Sequence, residues 1–506
     1  MFLRRAFSLA ILACLFAPQT ASARARLPAV FGSHMVLQRD KPIKIWGWAD
    51  PDEKVTVVYK GEAGGGPDGT AFRGMQSTTA NKTGDWSVNI GKLPSGAKLT
   101  IRIEAGDTKT ELKDVLIGEV WVCSGQSNMA MSVAASNDAK KETAAAKHPQ
   151  IRLFLVPRRP AGMPEKDAKA EWEVCSPKTV GRFSAVAYYF GRHLQRELKV
   201  PIGLVATSWG GTRIEPWTPV EGFESVDRFK KVAASIRGIN QSYTKILKSA
   251  KSLGQEPPAH PLATRGRPTG LYNGMVAPLV PFAIRGAIWY QGEANRRDGA
   301  EYAVKMRALI NGWRKVWGQG DFPFYYVQLA PYRYRDRQSK TDEDPTILAR
   351  CWEAQTDVLT MKNTGMAVTV DIGNRRDIHP KNKQDVGKRL ALWALAKDYG
   401  KKDLVYSGPL YKGMKVDSDG IRISFDHVGG GLVSRDGKPL SWFEIAGKDG
   451  KFVKADAKID GDTVLVSSAA VKDPQHVRFA WSMLADPNLS NKAGLPASPF
   501  RTNRKH

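Results

Sequence analysis

Residues 115–129 read VLIGEVWVCSGQSNM. Up to Cys123 the stretch is almost continuously apolar and rich in β-branched residues, the pattern of a strand buried on both faces within a parallel sheet. Gly125 then permits a tight turn, and a helical pattern from Met129 is expected to run to Ala146. A strand, a glycine turn and a helix in that order place Ser127 at the helix start, with its hydroxyl and its own N–H facing the same way. Capping is the commoner task of a serine there, so the segment alone leaves cap and nucleophile both open.

Outward from this stretch the texture repeats. Residues 202–207, 283–290, 324–329 and 366–371 are further apolar strands, and residues 386–395 look helical. Phe183, Ala187, Phe190, Leu194 and Leu198 fall on one helical face. Strands alternating with helices predict an α/β fold, a mainly parallel sheet with helices on both faces and a ligand site beyond the carboxyl ends of the strands. Phe229, Val232, Ile236, Ile239, Tyr243 and Ile246 step by three and four, which predicts an amphipathic helix in an insertion at about 221–270. That helix either caps the site or serves packing alone. Short alternating runs before residue 112, such as 43–48, 55–59, 86–90 and 99–103, predict an antiparallel β-sandwich-like module. Short strands and glycine-rich turns return from about residue 405. The expected organisation is a β module at 24–112, an α/β domain at 113–404 and a second β module at 405–506, in keeping with a 506-residue chain too long for one core.

Residues 1–23 read as a secretory signal: Arg4 and Arg5, an apolar run over 6–17, then Ala21-Ser22-Ala23 as the cleavage site. Export to the periplasm or beyond follows; Arg4-Arg5 also fits a twin-arginine signal, and Cys14 a lipid attachment site. No later run is long enough to cross a membrane. Cleavage leaves Cys123, Cys175 and Cys351, an odd and widely spaced set that reads as buried hydrophobes rather than a disulfide framework or metal site. The net charge of +26 suits a polyanion, but the Lys and Arg are dispersed, no nucleic-acid-binding signature is present, and no nucleic-acid partner is expected.

A serine hydroxyl needs a base, and the base an orienting group. Of eight histidines, His379 follows the last expected parallel strand, and Asp377, two residues earlier in an extended loop, can bond one ring nitrogen while the other faces Ser127. A local loop pair is the alternative. Asp426-His427 competes but falls in the second β module. Acyl transfer also requires donors to the developing oxyanion. Trp209-Gly210-Gly211-Thr212 follows one strand and offers a backbone N–H. Trp289-Tyr290-Gln291-Gly292-Glu293 follows another and offers the Gln291 amide. A turn and a strand-end polar group are the plainer readings of these two.

Together Gly125-Gln126-Ser127-Asn128-Met129, Trp209-Gly210-Gly211-Thr212, Trp289-Tyr290-Gln291-Gly292-Glu293 and Asp377-Ile378-His379-Pro380 resemble the sialate O-acetylesterase family of SGNH-type hydrolases. Residues 30–38, 273–279 and 494–500 extend the likeness over nearly the whole mature chain. The resemblance implies Ser127 as nucleophile, His379 as base, Asp377 as its orienter, and an oxyanion hole from the Ser127 N–H, one glycine of the pair (Gly211 is favoured) and Gln291. It implies no metal or organic cofactor. The Asp-x-His spacing, and Gln291 where the wider superfamily has Asn, match the narrower family; Ala130 stands where many members have Glu. Asn128, Arg213 and Glu293 are the expected substrate-binding residues, Arg213 as partner to a sugar carboxylate. The implied activity is hydrolysis of O-acetyl esters on carbohydrate, with O-acetylated sialic acid as substrate. The alternatives are acetylated xylan or pectin, a carbohydrate-binding protein with a decayed site, and a polyanion-binding envelope protein that rests on charge alone. The oligomeric state is not legible.

Overall fold

The computed structural model describes residues 25–63, 70–336 and 338–504. The proposed leader with Cys14 and the glycine-rich stretch 64–69 lie outside the described residues. Seven strands form the first third of the fold: β1 (Val36–Gln38), β2 (Lys44–Trp48), β3 (Lys54–Ala63), β4 (Thr70–Thr79), β5 (Asp85–Asn89), β6 (Lys98–Ala105) and β7 (Thr108–Gly125). β3, β4, β6 and the start of β7 make an antiparallel ladder, while β2 and β5 pair separately.

β7 is one strand of 18 residues. Its first half belongs to that ladder, and from Glu119 onward it is the middle strand of the parallel sheet, flanked by β10 (Ile202–Ser208) and β11 (Gly286–Tyr290). The boundary drawn at residue 112 thus falls inside an unbroken strand. With β8 (His148–Leu155), β9 (Trp172–Cys175), β12 (Phe324–Val327) and β13 (Thr364–Ala367), the order is β13-β12-β11-β7-β10-β8-β9. All neighbours in that row are parallel except β8 and β9. The chain fills the β10 side of β7 first and then its β11 side, so strand order reverses at β7, where open α/β sheets hold their ligands.

Side-chain alternation along these strands decides which helix lies where. Trp121 and Tyr325 point to one face, meeting Phe190 of α3 (Ala185–Leu198) and Trp393 of α8 (Lys383–Lys397). Trp289 and Phe324 point to the other, against Trp313 of α6 (Glu301–Trp317). Helices therefore cover both faces, as the sequence predicts. Residues 410–501 form small antiparallel sheets tied back to the α/β part through Arg501 on Glu353 of α7 (Ile347–Asp357), at 2.9 Å.

Two elements depart from expectation. The helix expected over 129–146 is broken into α1 (Ser127–Ala130), a 3-10 turn (Val133–Ala135) and α2 (Ala139–Ala144). Ser132, Ser136, Asn137 and Asp138 interrupt it; such side chains compete with the helix for backbone groups, and Asp138 adopts a left-handed conformation with φ of 54°. The strand expected over 366–371 ends at Ala367, after which Thr369 turns its hydroxyl onto the Gln328 carbonyl at 2.6 Å. The predicted amphipathic helix is α5 (Lys230–Ser252), which leans on α4 (Val220–Glu224) through a small separate cluster of Phe223, Ala233, Ile236 and Leu262. Among the described residues no helix is long and apolar enough to cross a membrane. The three cysteines are free and buried, and burial pushes their thiols up, Cys175 to about 12.

Candidate active site

Three strand ends meet at the reversal point. The Gln126 N–H donates to the Tyr290 carbonyl at 3.0 Å, and the Trp209 N–H to the Gly125 carbonyl at 3.1 Å. The carboxyl ends of β7, β10 and β11 are thereby stitched into one rim. Gly125 is needed there: its φ is 144°, and a Cβ would stand 2.1 Å from the Tyr290 carbonyl oxygen. Ser127 opens α1 on this rim, partly exposed between the buried Gln126 and Asn128. At the first helical position its N–H has no intrahelical acceptor.

The last loop of the domain comes to the same place. Asn128 donates from Nδ2 to the Ile378 carbonyl at 2.9 Å, so the residue after Ser127 is bonded to the residue between Asp377 and His379. Asp377 Oδ1 accepts the backbone N–H of His379 at 2.9 Å and lies 4.0 Å from the ring Nδ1. Among the described residues no hydrogen bond joins the Ser127 hydroxyl to His379. Burial holds the imidazole below its usual value; Asp377 works against this and Lys383 reinforces it. The competing His427 packs edge-on against Tyr406 in the second β module, with ring centroids 5.2 Å apart.

The other expected site residues are placed differently. Gly210, not Gly211, abuts Ser127: a Cβ on Gly210 would lie 3.2 Å from the Ser127 Cβ, whereas Gly211 faces open space with φ of 72°. Gln291 is fully buried, and its Nε2 donates to the Thr212 carbonyl at 3.1 Å and to Asn295 Oδ1 at 2.8 Å. Both amide hydrogens are spent on fixing the β10 and β11 loops, which leaves none for an oxyanion. Arg213 spans Glu215 and Asp298, with Nη2 at 3.0 Å from each carboxylate, and donates to the Ala294 carbonyl. Those anions hold the guanidinium, whose side chain is 45% exposed. Asn128 and Glu293 are also interior, 1% and 6% exposed, so they support the site from beneath rather than face a substrate.

Lys383 is the residue the sequence reading misses. It is fully buried at the start of α8, 2.6 Å from Asn128 Oδ1 and 5.2 Å from the Tyr290 ring centre. A cation in the first turn of a helix opposes the helix dipole, so a lysine there, four residues after His379, is a signal the sequence carries.

The family model described as "Carbohydrate esterase, sialic acid-specific acetylesterase" matches residues 117–396. Sialate O-acetylesterase of Rattus norvegicus is 31% identical over 529 residues, covering 95% of each chain. That of Homo sapiens is 31% identical over 428 residues, covering 78% of this chain and 75% of its own. A solved carbohydrate acetylesterase from Xanthomonas citri is 35% identical with a TM-score of 0.80, over 95% of this chain and 100% of that one. A chain matched through its parallel sheet by that family model, and along most of its length by those esterases, is a carboxylic ester hydrolase and belongs to the sialic acid-specific acetylesterase family of carbohydrate esterases.

Proposed function

We propose that this enzyme removes acetyl groups from carbohydrate hydroxyls through an SGNH-type site, with Ser127 as nucleophile, His379 as general base and Asp377 orienting the loop and ring of His379. The observation that carries the reading is the Asn128–Ile378 hydrogen bond, which fixes the nucleophile turn against the loop of the base although 250 residues separate them. His379 takes the Ser127 proton as Oγ attacks the acetyl carbonyl. The tetrahedral intermediate collapses as His379 protonates the departing sugar oxygen. Water, deprotonated by the same imidazole, then attacks the acetyl-enzyme and releases acetate. The oxyanion donors are the N–H groups of Ser127 and Gly210, the glycine in contact with the serine; each such donor contributes about 100–1000-fold in rate.

Ser127→Ala is expected to abolish hydrolysis of an aryl acetate while the thermal unfolding midpoint is kept. Undiminished turnover by that variant sinks the assignment. The substrate we assign is O-acetylated sialic acid, in line with the relatives' names. Acetyl esters of plant polymers such as xylan or pectin are the second reading, favoured by the Arg213 guanidinium being already held by Glu215 and Asp298. Acetate release from O-acetyl sialic acid, acetylated xylan and acetylated pectin, compared at equal enzyme, decides between them. Residues 1–23 are assigned as the leader that exports the enzyme to such substrates.

A further inference from the structure

Behind the nucleophile lies a buried polar set that acyl transfer itself does not use. Asn128 is its hub. Its Oδ1 accepts from Lys383 Nζ at 2.6 Å, and its Nδ2 donates to Glu293 Oε1 at 2.5 Å and to the Ile378 carbonyl at 2.9 Å. Both amide hydrogens and the carbonyl are engaged, and none of the three side chains is more than 6% exposed. Burying an ammonium and a carboxylate is expensive unless each is paired, so a set like this persists where the arrangement it enforces matters.

The geometry shows what it enforces. A lysine ammonium only donates. Placed on one side of Asn128, it compels the amide oxygen to face it and turns the NH2 group the other way, toward Glu293 and Ile378. With the amide reversed, NH2 would oppose the ammonium and the carbonyl would oppose the Ile378 oxygen, and the bond between the nucleophile turn and the His379 loop would be lost. The cation is itself held by the Tyr290 ring face at 5.2 Å, and Tyr290 accepts the Gln126 N–H through its backbone carbonyl. Lys383 thus touches the turn that presents Ser127 directly, at Asn128, and reaches the residue that precedes His379 through that amide.

We propose that Lys383 is a positioning residue for catalysis: by fixing the orientation of the Asn128 amide it locks the Asp377–His379 loop in register with Ser127. This rests on the assignment of Ser127 and His379 above. Glu293 completes the device. Its Oε1 takes the second Asn128 hydrogen, its Oε2 has no hydrogen-bond partner among the described residues, and burial raises its carboxyl while the Asn128 bond and the Lys383 charge work against that rise. Burial brings the Lys383 ammonium down to about 7, and the Glu293 and Asp377 carboxylates oppose that fall.

The test is a double-mutant cycle on the full chain with an aryl acetate, reading kcat, KM and the rate at which a fluorophosphonate labels Ser127. Lys383→Met keeps the stem and removes the donor. It is expected to lower kcat and the labelling rate together by about 10- to 100-fold, the size of loss that follows a displacement of about 1 Å at a reacting centre, with KM within about twofold. In an Asn128→Ala background the same change is expected to add less than about threefold, because the lysine acts through that amide. Full kcat in Lys383→Met overturns the proposal, and so does an equal loss in both backgrounds. Should Lys383→Met fail to fold because Glu293 is left uncompensated, the pair Lys383→Met with Glu293→Gln removes both charges and carries the same criteria. Ser127→Ala is run alongside. If it retains activity, the catalytic assignment has failed. If it is inactive while Lys383→Met is fully active, only the positioning role has failed.

Discussion

His379 is more than a third exposed, yet it is buried enough for desolvation to outweigh the pull of Asp377, and Lys383 adds to the same side. Its imidazole therefore titrates below the ordinary value of 6.5. A general base works in its neutral form, so in the role proposed for it a depressed value keeps His379 competent further into acid. The acid limb of kcat/KM is expected to have its midpoint below about 6.5, the unperturbed histidine value. A pH–rate profile with an aryl acetate checks this, and a midpoint at or above that value contradicts the assigned environment. The residue scale also shows how Arg213 and Gln291 are engaged. Both are the right chemical types in the right loops, but each has nearer partners, Glu215 and Asp298 for the one, Thr212 and Asn295 for the other.

At the scale of the element, α3 is tied to the Ser127 turn by its own cap. Ser184 accepts the Ala187 N–H at 3.2 Å, as an N-cap does, and donates its hydroxyl to the Met129 carbonyl at 2.6 Å. One buried serine thus closes two chain ends, the start of a 14-residue helix and the end of α1. Ser184→Ala is expected to destabilise the protein by about 1–2 kcal/mol, a lost cap plus an orphaned carbonyl, seen as a lower urea midpoint at unchanged slope. No shift in the midpoint shows that water replaces both bonds. The α1 segment itself is too short to be stable alone; it is held by Ser184, by Gln126 on the β11 end and by Asn128 on the last loop.

At the scale of the whole molecule, the ladder of β3, β4 and β6 and the parallel sheet are joined by β7, and Glu119 sits at the changeover. Its carboxylate is fully buried, bonded to Arg39, to Gln38 at 3.0 Å and to Arg285 at 2.7 and 2.9 Å. Burial raises a carboxyl, but the bonds and charge of Arg285 outweigh it and hold Glu119 below the usual range. Four segments, the chain after β1, β7, the approach to β11 and the Tyr399 ring under Arg285, converge on this anion. Glu119→Ala leaves Arg39 and Arg285, each about a fifth exposed, with Asp40 as their remaining carboxylate, and is expected to cost about 1–3 kcal/mol, read by denaturant unfolding. Because the strand is continuous, the ladder and the sheet are expected to unfold in the same transition; two separated transitions in the parent protein contradict that coupling.

Local pattern was enough for much of this. The apolar run of β7 with its glycine turn, the helical faces of α3 and α5, the alternation of strand and helix, and the four blocks around Ser127, Gly210, Gln291 and His379 are all carried by near-neighbour chemistry: side-chain periodicity, glycine where the backbone requires it, polar residues at strand ends. Only the tertiary structure decided the rest. It decided that β7 runs unbroken through the boundary at residue 112, since a strand's partners are invisible along its own length. It decided that Gly210 rather than Gly211 meets Ser127, that Gln291 and Arg213 are spent on nearer partners, and that Lys383 lies buried beneath Asn128. Sequence states which groups a chain has, but burial and the identity of the nearest oppositely disposed group, which determine what each of them does, come from residues hundreds of positions away.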